Sequence, residues 1–202
     1  MPALLDVLFS MILGFTIIFI IINANIVVGE GTFSYRTETM VQESLISVAT
    51  LVESEFRNMG YGVKKEDTDN TGVILLAERN RIVFKSDYNN NGNVDIIEYY
   101  VGDPEDVPVM NDSIRVLHRQ VNDEPPRGIG YVTKFDLTYF DFTGQEFTPA
   151  PNPGNVKMIE IEIEVQNPYA LASALQQPGE DAYYSTTLWR QTRLGSKNFN
   201  TR

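Results

Sequence analysis

Residues 7 to 28, VLFSMILGFTIIFIIINANIVV, contain no charged side chain, and no other stretch limits the fold as much. At about 1.5 Å per residue a helix over this run spans roughly 33 Å, close to the thickness of a hydrocarbon core. A conventional signal peptide is not indicated. No Lys or Arg precedes the run, no A-x-A-like site follows it, and the first basic residue is Arg36. Hydropathy alone therefore reads as a signal anchor or single transmembrane helix. Asp6 stands at the edge of the run, where a carboxylate costs little at a membrane–water boundary but much if buried unpaired. Asn23 and Asn25 are polar intrusions, either partners for hydrogen bonds between helices or markers of an interfacial end.

A second helical pattern of different character follows. Gly29 and Gly31 are expected to loosen or kink the helix. Beyond them Met40, Val41, Leu45, Val48, Leu51, Val52 and Phe56 recur at steps of three and four. Glu38, Gln42, Glu43, Ser47, Glu53 and Arg57 fall mainly between them, so this half is amphipathic. Asn58-Met59-Gly60-Tyr61-Gly62 supplies the stop. The economical reading is one helix of roughly 55 residues, apolar all round at first and one-sided later.

Strands dominate the rest. VILLAE (73–78) and RIVFK (81–85) flank a tight Arg79-Asn80 connection as a hairpin. VDIIEYYV (94–101), SIRVLHRQ (113–120), YVTKFDLTYF (131–140), VKMIEIEIEVQ (156–166) and YYSTTLWRQTRL (183–194) each read as one further strand, with DPEDVPVMND (103–112) as a surface loop. Ile159, Ile161, Ile163 and Val165 alternate with Glu160, Glu162 and Glu164, a half-buried strand with a solvated carboxylate row. The expected fold class is α+β: a long N-terminal helix (1–60) packed on the antiparallel β-sheet of a β-rich head (61–202).

Composition narrows the function classes. The net charge of −11 argues against nucleic acid as a partner, which needs a basic patch. With no Cys, disulfides, thiolate catalysis and CxxCH haem attachment are excluded. Stability must come from packing, bound metal or assembly. No GxSxG, HExxH or phosphate-binding glycine loop occurs, and the single histidine, His118, lies in a strand pattern. Glu53 and Glu55 are two apart on a helix and do not face one site. Trp189 and the tyrosine pairs 99–100 and 183–184 read as core and sheet-surface residues. A catalytic role is not expected.

The sharpest local signal is SDYNNNGNVDIIEYY (86–100). From Asp87, it places Asp87, Asn89, Asn91, Gly92, Asn93, Asp95 and Glu98 at positions 1, 3, 5, 6, 7, 9 and 12 of an EF-hand calcium loop. Calcium takes six to eight oxygens. Asp87, Asn89, Asn91, the Asn93 carbonyl, Asp95 and a bidentate Glu98 would supply them. The flanks, however, are β-formers, and in a strand Glu98 has to point back toward the loop against the pleat. Calcium loop and plain Asn/Gly turn both remain open on these residues.

Three segments in order carry a family resemblance. LVESEFRNMGYGV (51–63), SDYNNNGNVDIIEYYV (86–101) and TTLWRQTRLGSKNF (186–199) resemble the helix end, the Asp/Asn/Gly-rich loop with its strand, and the closing strand of PilW-like minor pilins. The whole layout is similar to a type IV pilin. Pilin precursors carry a short basic leader and none precedes the apolar run, so the sequence reads as mature. The resemblance implies a structural subunit of an extracellular filament, a homopolymer through its N-terminal helices, held in the inner membrane before assembly. It also implies a carboxylate near the N-terminus that pairs with a neighbour's terminal amine. Asp6 takes that role, becoming the fifth residue if Met1 is removed before Pro2. Major subunit and minor or tip subunit for adhesion stay open. So does a rival of another class, a membrane-anchored β-domain that binds a ligand without any filament.

Overall fold

The computed structural model describes residues 2–64, 72–103, 113–149, 153–166, 186–196 and 198. Helix α1 (Pro2–Arg57) is a single element of 56 residues, roughly 84 Å long at the helical rise. It runs unbroken through Gly29 and Gly31, where a kink was expected. Each glycine weakens a helix by about 1 kcal/mol relative to Ala. Nothing lies within 4 Å of where a Cβ would stand at either residue, so no neighbour draws the backbone out of its ladder.

The two halves of α1 differ in burial. Large hydrophobic side chains from Leu5 to Val28 are 49–69% exposed. This half is long and apolar enough to cross a membrane, and none of its most apolar window is buried. Its small polar side chains fold back on the helix, as Ser, Thr and Asn do when no outside partner is at hand. Ser10 donates to the Asp6 carbonyl, Thr16 to Ile12, Asn23 to Phe19, Asn25 to Ile21 and Thr32 to Val28, at 2.8–2.9 Å. In the second half Val41, Leu45, Val48, Ala49, Val52 and Phe56 are buried on one stripe. Met40 was expected on that stripe and is instead exposed, while Thr37, one turn before Val41, is buried. The 100° step per residue puts Met40 off the line that 37, 41, 45, 48, 52 and 56 share.

The head contains eight described strands in two antiparallel sheets, where one sheet was expected. Strands β1 (Ile74–Ala77), β2 (Arg81–Ser86), β3 (Asp95–Val101), β4 (Arg115–Val121) and β5 (Arg127–Val132) form a meander in sequence order. Strands β6 (Lys134–Phe140), β7 (Met158–Gln166) and β8 (Thr186–Leu194) form the second sheet, after a 3-10 turn at Pro153–Asn155 in the β6–β7 connection. YVTKFDLTYF is thus two strands. The chain leaves the first sheet at Thr133, whose N–H donates to the Glu164 carbonyl of β7 at 2.8 Å. The apolar phase explains the break: Val132 and Phe135 are both buried although three apart, which a continuous period of two cannot deliver.

Helix stripe and both sheets share one core. Ile82, Phe84, Ile97 and Leu117 of the first sheet join Leu137, Ile159, Ile161 and Ile163 of the second around Val48, Val52 and Phe56. Phe56 meets Phe84 and Tyr99 edge-on at 5.6 and 5.5 Å between ring centroids. The helix lies tight against β5 at Gly130, where a Cβ would lie 2.3 Å from a Val48 methyl; only glycine admits that contact. In β7 the expected alternation holds, with Ile159, Ile161, Ile163 and Val165 inward. Its outer glutamates are half-exposed rather than fully solvated, and Glu162 pairs with Lys134 at 2.8 Å.

Candidate functional site

The β2–β3 hairpin positions the Asn-rich segment. Ser86 and Asp95 face each other at the end of its ladder, so residues 87–94 form the loop. Inside the loop the side-chain oxygens of Asp87, Asn89 and Asn91 accept backbone N–H groups, while Asn90 Oδ1 accepts from the Tyr61 hydroxyl at 3.2 Å. Asp87 Oδ1 accepts from Asn91 at 3.0 Å and Oδ2 from Gly92 at 2.9 Å. Asn89 Oδ1 accepts from Asn91 at 3.0 Å, and Asn91 Oδ1 from Asn93 at 2.8 Å. These are Asx-type turns, and they hold Asn90 at φ 57° and Gly92 at φ 86°, conformations that Asn tolerates and Gly adopts freely. Asp87 and Asp95 are buried, at 6% and 7% exposure. Asp95 Oδ1 accepts from Asn122 Nδ2 at 2.8 Å, whereas its Oδ2 is buried without a hydrogen-bond partner.

Glu98 does not join this group. The pleat sends Asp95, Ile97 and Tyr99 toward the core and Glu98 to the opposite face, where Arg81 Nε donates to it at 2.6 Å. Of the six expected calcium ligands, the hairpin brings Asp87, Asn89, Asn91, Asn93 and Asp95 to one end and turns Glu98 away. Among the described residues no group of three or more His, Cys, Asp or Glu is placed to hold a metal. The loop offers two carboxylates and amide oxygens instead. Asn122, which the sequence reading passed over, extends β4 by one rung at φ 50°: its N–H donates to the Ile96 carbonyl and its Oδ1 accepts the Ile96 N–H, both at 2.8 Å.

The loop is seated on the end of α1. Gly60 N–H donates to the Lys85 carbonyl and Asp87 N–H to the Tyr61 carbonyl, both at 2.8 Å. Ser86 Oγ donates to the Asn58 carbonyl at 2.8 Å. Gly62, at φ +73°, is pressed against Asp87, and a Cβ there would stand 2.7 Å from the Asp87 Cβ. Glu55, Asn58, Tyr61, Ser86, Asp87 and Tyr88 help to line a cleft of about 420 Å³ between helix end and loop.

Beside that cleft lies an ionic network. The Glu55 carboxylate accepts from the Tyr99 hydroxyl and from Arg119, whose Nη2 is 2.7 Å away. The Arg119 guanidinium also covers the Tyr88 ring, 5.2 Å from its centroid. Burial pushes the Tyr99 phenol far above its ordinary value, and the Glu55 charge adds to the effect. Burial works against the Arg119 charge, but Glu55 outweighs it and raises the guanidinium further. Glu53 does face elsewhere, toward Arg57 at 2.6 Å in solvent, as its spacing from Glu55 required. The inward partners of Glu55 lie 44 and 64 residues downstream, out of reach of any local spacing rule.

Asp6 is exposed on the first turns of α1, its carbonyl accepting from Ser10. His118 stacks on Tyr100 at 5.0 Å on the outer face of the first sheet. Residues 104–112, which hold most of the expected surface loop, and the 183–184 tyrosine pair lie outside the described residues. No protein family, curated protein or solved structure matches the chain.

Proposed function

We propose that the chain is a structural, non-catalytic subunit of an extracellular type IV pilus-like filament, anchored in a membrane before assembly. In this reading it polymerises by burying the first half of α1 against the same half of other copies. The observation that carries the reading is the division of one unbroken helix into an apolar half with nothing covering it and an amphipathic half built into the head. A leucine, isoleucine or phenylalanine fully removed from water contributes about 1.5–3 kcal/mol. The seventeen-residue stretch from Leu5 to Ile21 is mostly such side chains, so this half needs an apolar surrounding at every stage, lipid before assembly and the helices of other copies after it. Contacts that repeat head-to-tail without closing give a helical fibre. Asp6, at the start of the apolar half, would need a counter-charge in such a core, and a neighbour's terminal amine supplies one.

The test is direct. Surface filaments isolated from the native cell are expected to contain this chain at regular helical repeat, and Asp6→Ala is expected to lower filament yield while leaving membrane insertion intact. Filaments of unchanged width from a chain lacking residues 1–28 would sink the proposal. A monodisperse detergent-solubilised monomer that never polymerises would assign the head to a membrane-anchored binding module instead.

A further inference from the structure

We infer that the β2–β3 loop is a site for a calcium-sized divalent cation, with Asp87 and Asp95 as its charged ligands, Asn89, Asn91 and the Asn93 carbonyl as its neutral ones, and Glu98 outside it. The inference stands on the head alone and does not need the filament.

Charge burial is the first argument. Asp87 and Asp95 are each more than nine-tenths buried, and among the described residues no Lys or Arg pairs with either. Buried carboxylates are ordinarily paired with a cation or coordinate a metal, because desolvation without compensation is costly. Asp87 is partly compensated by two backbone N–H groups, which leave lone pairs free on both oxygens. Asp95 is not. Its Oδ2 is shut away from water with no donor at all, at the neck of the loop across from Ser86.

Donor chemistry is the second argument. The loop presents carboxylate, amide and carbonyl oxygens and no nitrogen or sulfur ligand, the set that suits calcium and not zinc or copper. Five protein oxygens with water complete the six to eight that calcium takes, whereas magnesium demands a stricter octahedron. Only two formal charges contribute, which places the dissociation constant at roughly 10⁻⁴–10⁻³ M, as in extracellular modules. Asp87 is bonded to Tyr61 and packed on Gly62, so a cation held there also stiffens the segment that ends α1.

The experiment uses the full chain in detergent micelles, titrated with calcium chloride in a calorimeter and melted in calcium and in chelator. Calcium is expected to bind with the stated constant and to raise the melting temperature. Asp95→Asn, which keeps the acceptor for Asn122, should bind at least about tenfold more weakly yet melt in chelator no lower than the parent, because the uncompensated charge is gone. Asn89→Ala, at an exposed position, should also weaken binding, and Glu98→Gln should leave it unchanged. No heat and no melting shift at about 10 mM calcium, above the weak end of the expected range, would overturn the site. So would undiminished binding by Asp95→Asn, or a loss in Glu98→Gln as large as the one expected of Asp95→Asn.

Discussion

From Leu5 to Val28, α1 carries large apolar side chains on every side and covers none of them; from Thr37 to Phe56 it buries one stripe of them under two sheets and leaves only Met40 and Ile46 well outside it. The backbone is the same in both, yet what stabilises it differs. The second half is held by tertiary contacts, as most helices in globular proteins are. The first half depends on whatever medium removes its surface from water. Changes in the two halves should therefore be read by different instruments, head melting for one and insertion or assembly for the other.

The widest separation is expected at high pH. Burial raises the phenols of Tyr99 and Tyr139 well above their ordinary value near 10. The folded head thus favours their protonated form. That contribution is whole below pH 10 and is lost as pH climbs above it. Alkaline titration in micelles should unfold the head, with a last rise in phenolate absorbance in step with unfolding, after that of exposed phenols such as Tyr61, Tyr88 and Tyr131, while the apolar half stays helical. Ionisation of all ten phenols ahead of the loss of head structure would contradict this burial.

Substitutions come next. Phe56→Ala removes a 1% exposed ring from the shared core and should cost the head about 3–5 kcal/mol in denaturant melts. Phe19→Ala, in a 68% exposed ring, should leave that melt unmoved and act only on insertion or assembly. Equal effects would erase the distinction between the halves. A finer contrast lies within the second half. Glu55→Gln strips the counter-charge from Arg119 and should cost about 2–3 kcal/mol, below the usual range for a broken buried pair because both side chains keep some water. Glu53→Gln, two residues away, loses only an exposed pair with Arg57 worth about 0.3–0.5 kcal/mol. The smallest effect is expected of Gly31→Ala, with open space around it. It should firm the helix by about 0.5–1 kcal/mol, seen as slower amide exchange near residue 31 with no change in head melting.

Periodicity made much of this legible beforehand, and its failures have identifiable causes. The helix and its end at the Gly60–Gly62 segment, the first hairpin and the β7 alternation all follow from spacing within one element. The Thr133 break was also written in the chain, as the phase slip between Val132 and Phe135, but a run of β-formers masked it. Glu98 was placed by counting along a loop designed for helices; the strand pleat decided otherwise. Arg119 and Asn122 went unnoticed because their roles arise from the pairing of β4 with β3, which no local window contains.

The back-bonded side chains of α1 have a consequence for positioning. Ser10, Thr16 and Thr32 give their only donors to the helix itself, so most of the apolar cylinder carries no directional mark, and a neighbour feels shape alone. Asn23 and Asn25 each keep one amide hydrogen and a carbonyl oxygen, and Asp6 keeps its carboxylate. These polar marks stand at two levels, roughly 26 Å apart on the helical rise. A surface so marked works like a ruler with graduations only at its ends: between them a neighbouring chain or lipid tail slides freely, and axial slip is resisted only where a polar group meets its partner.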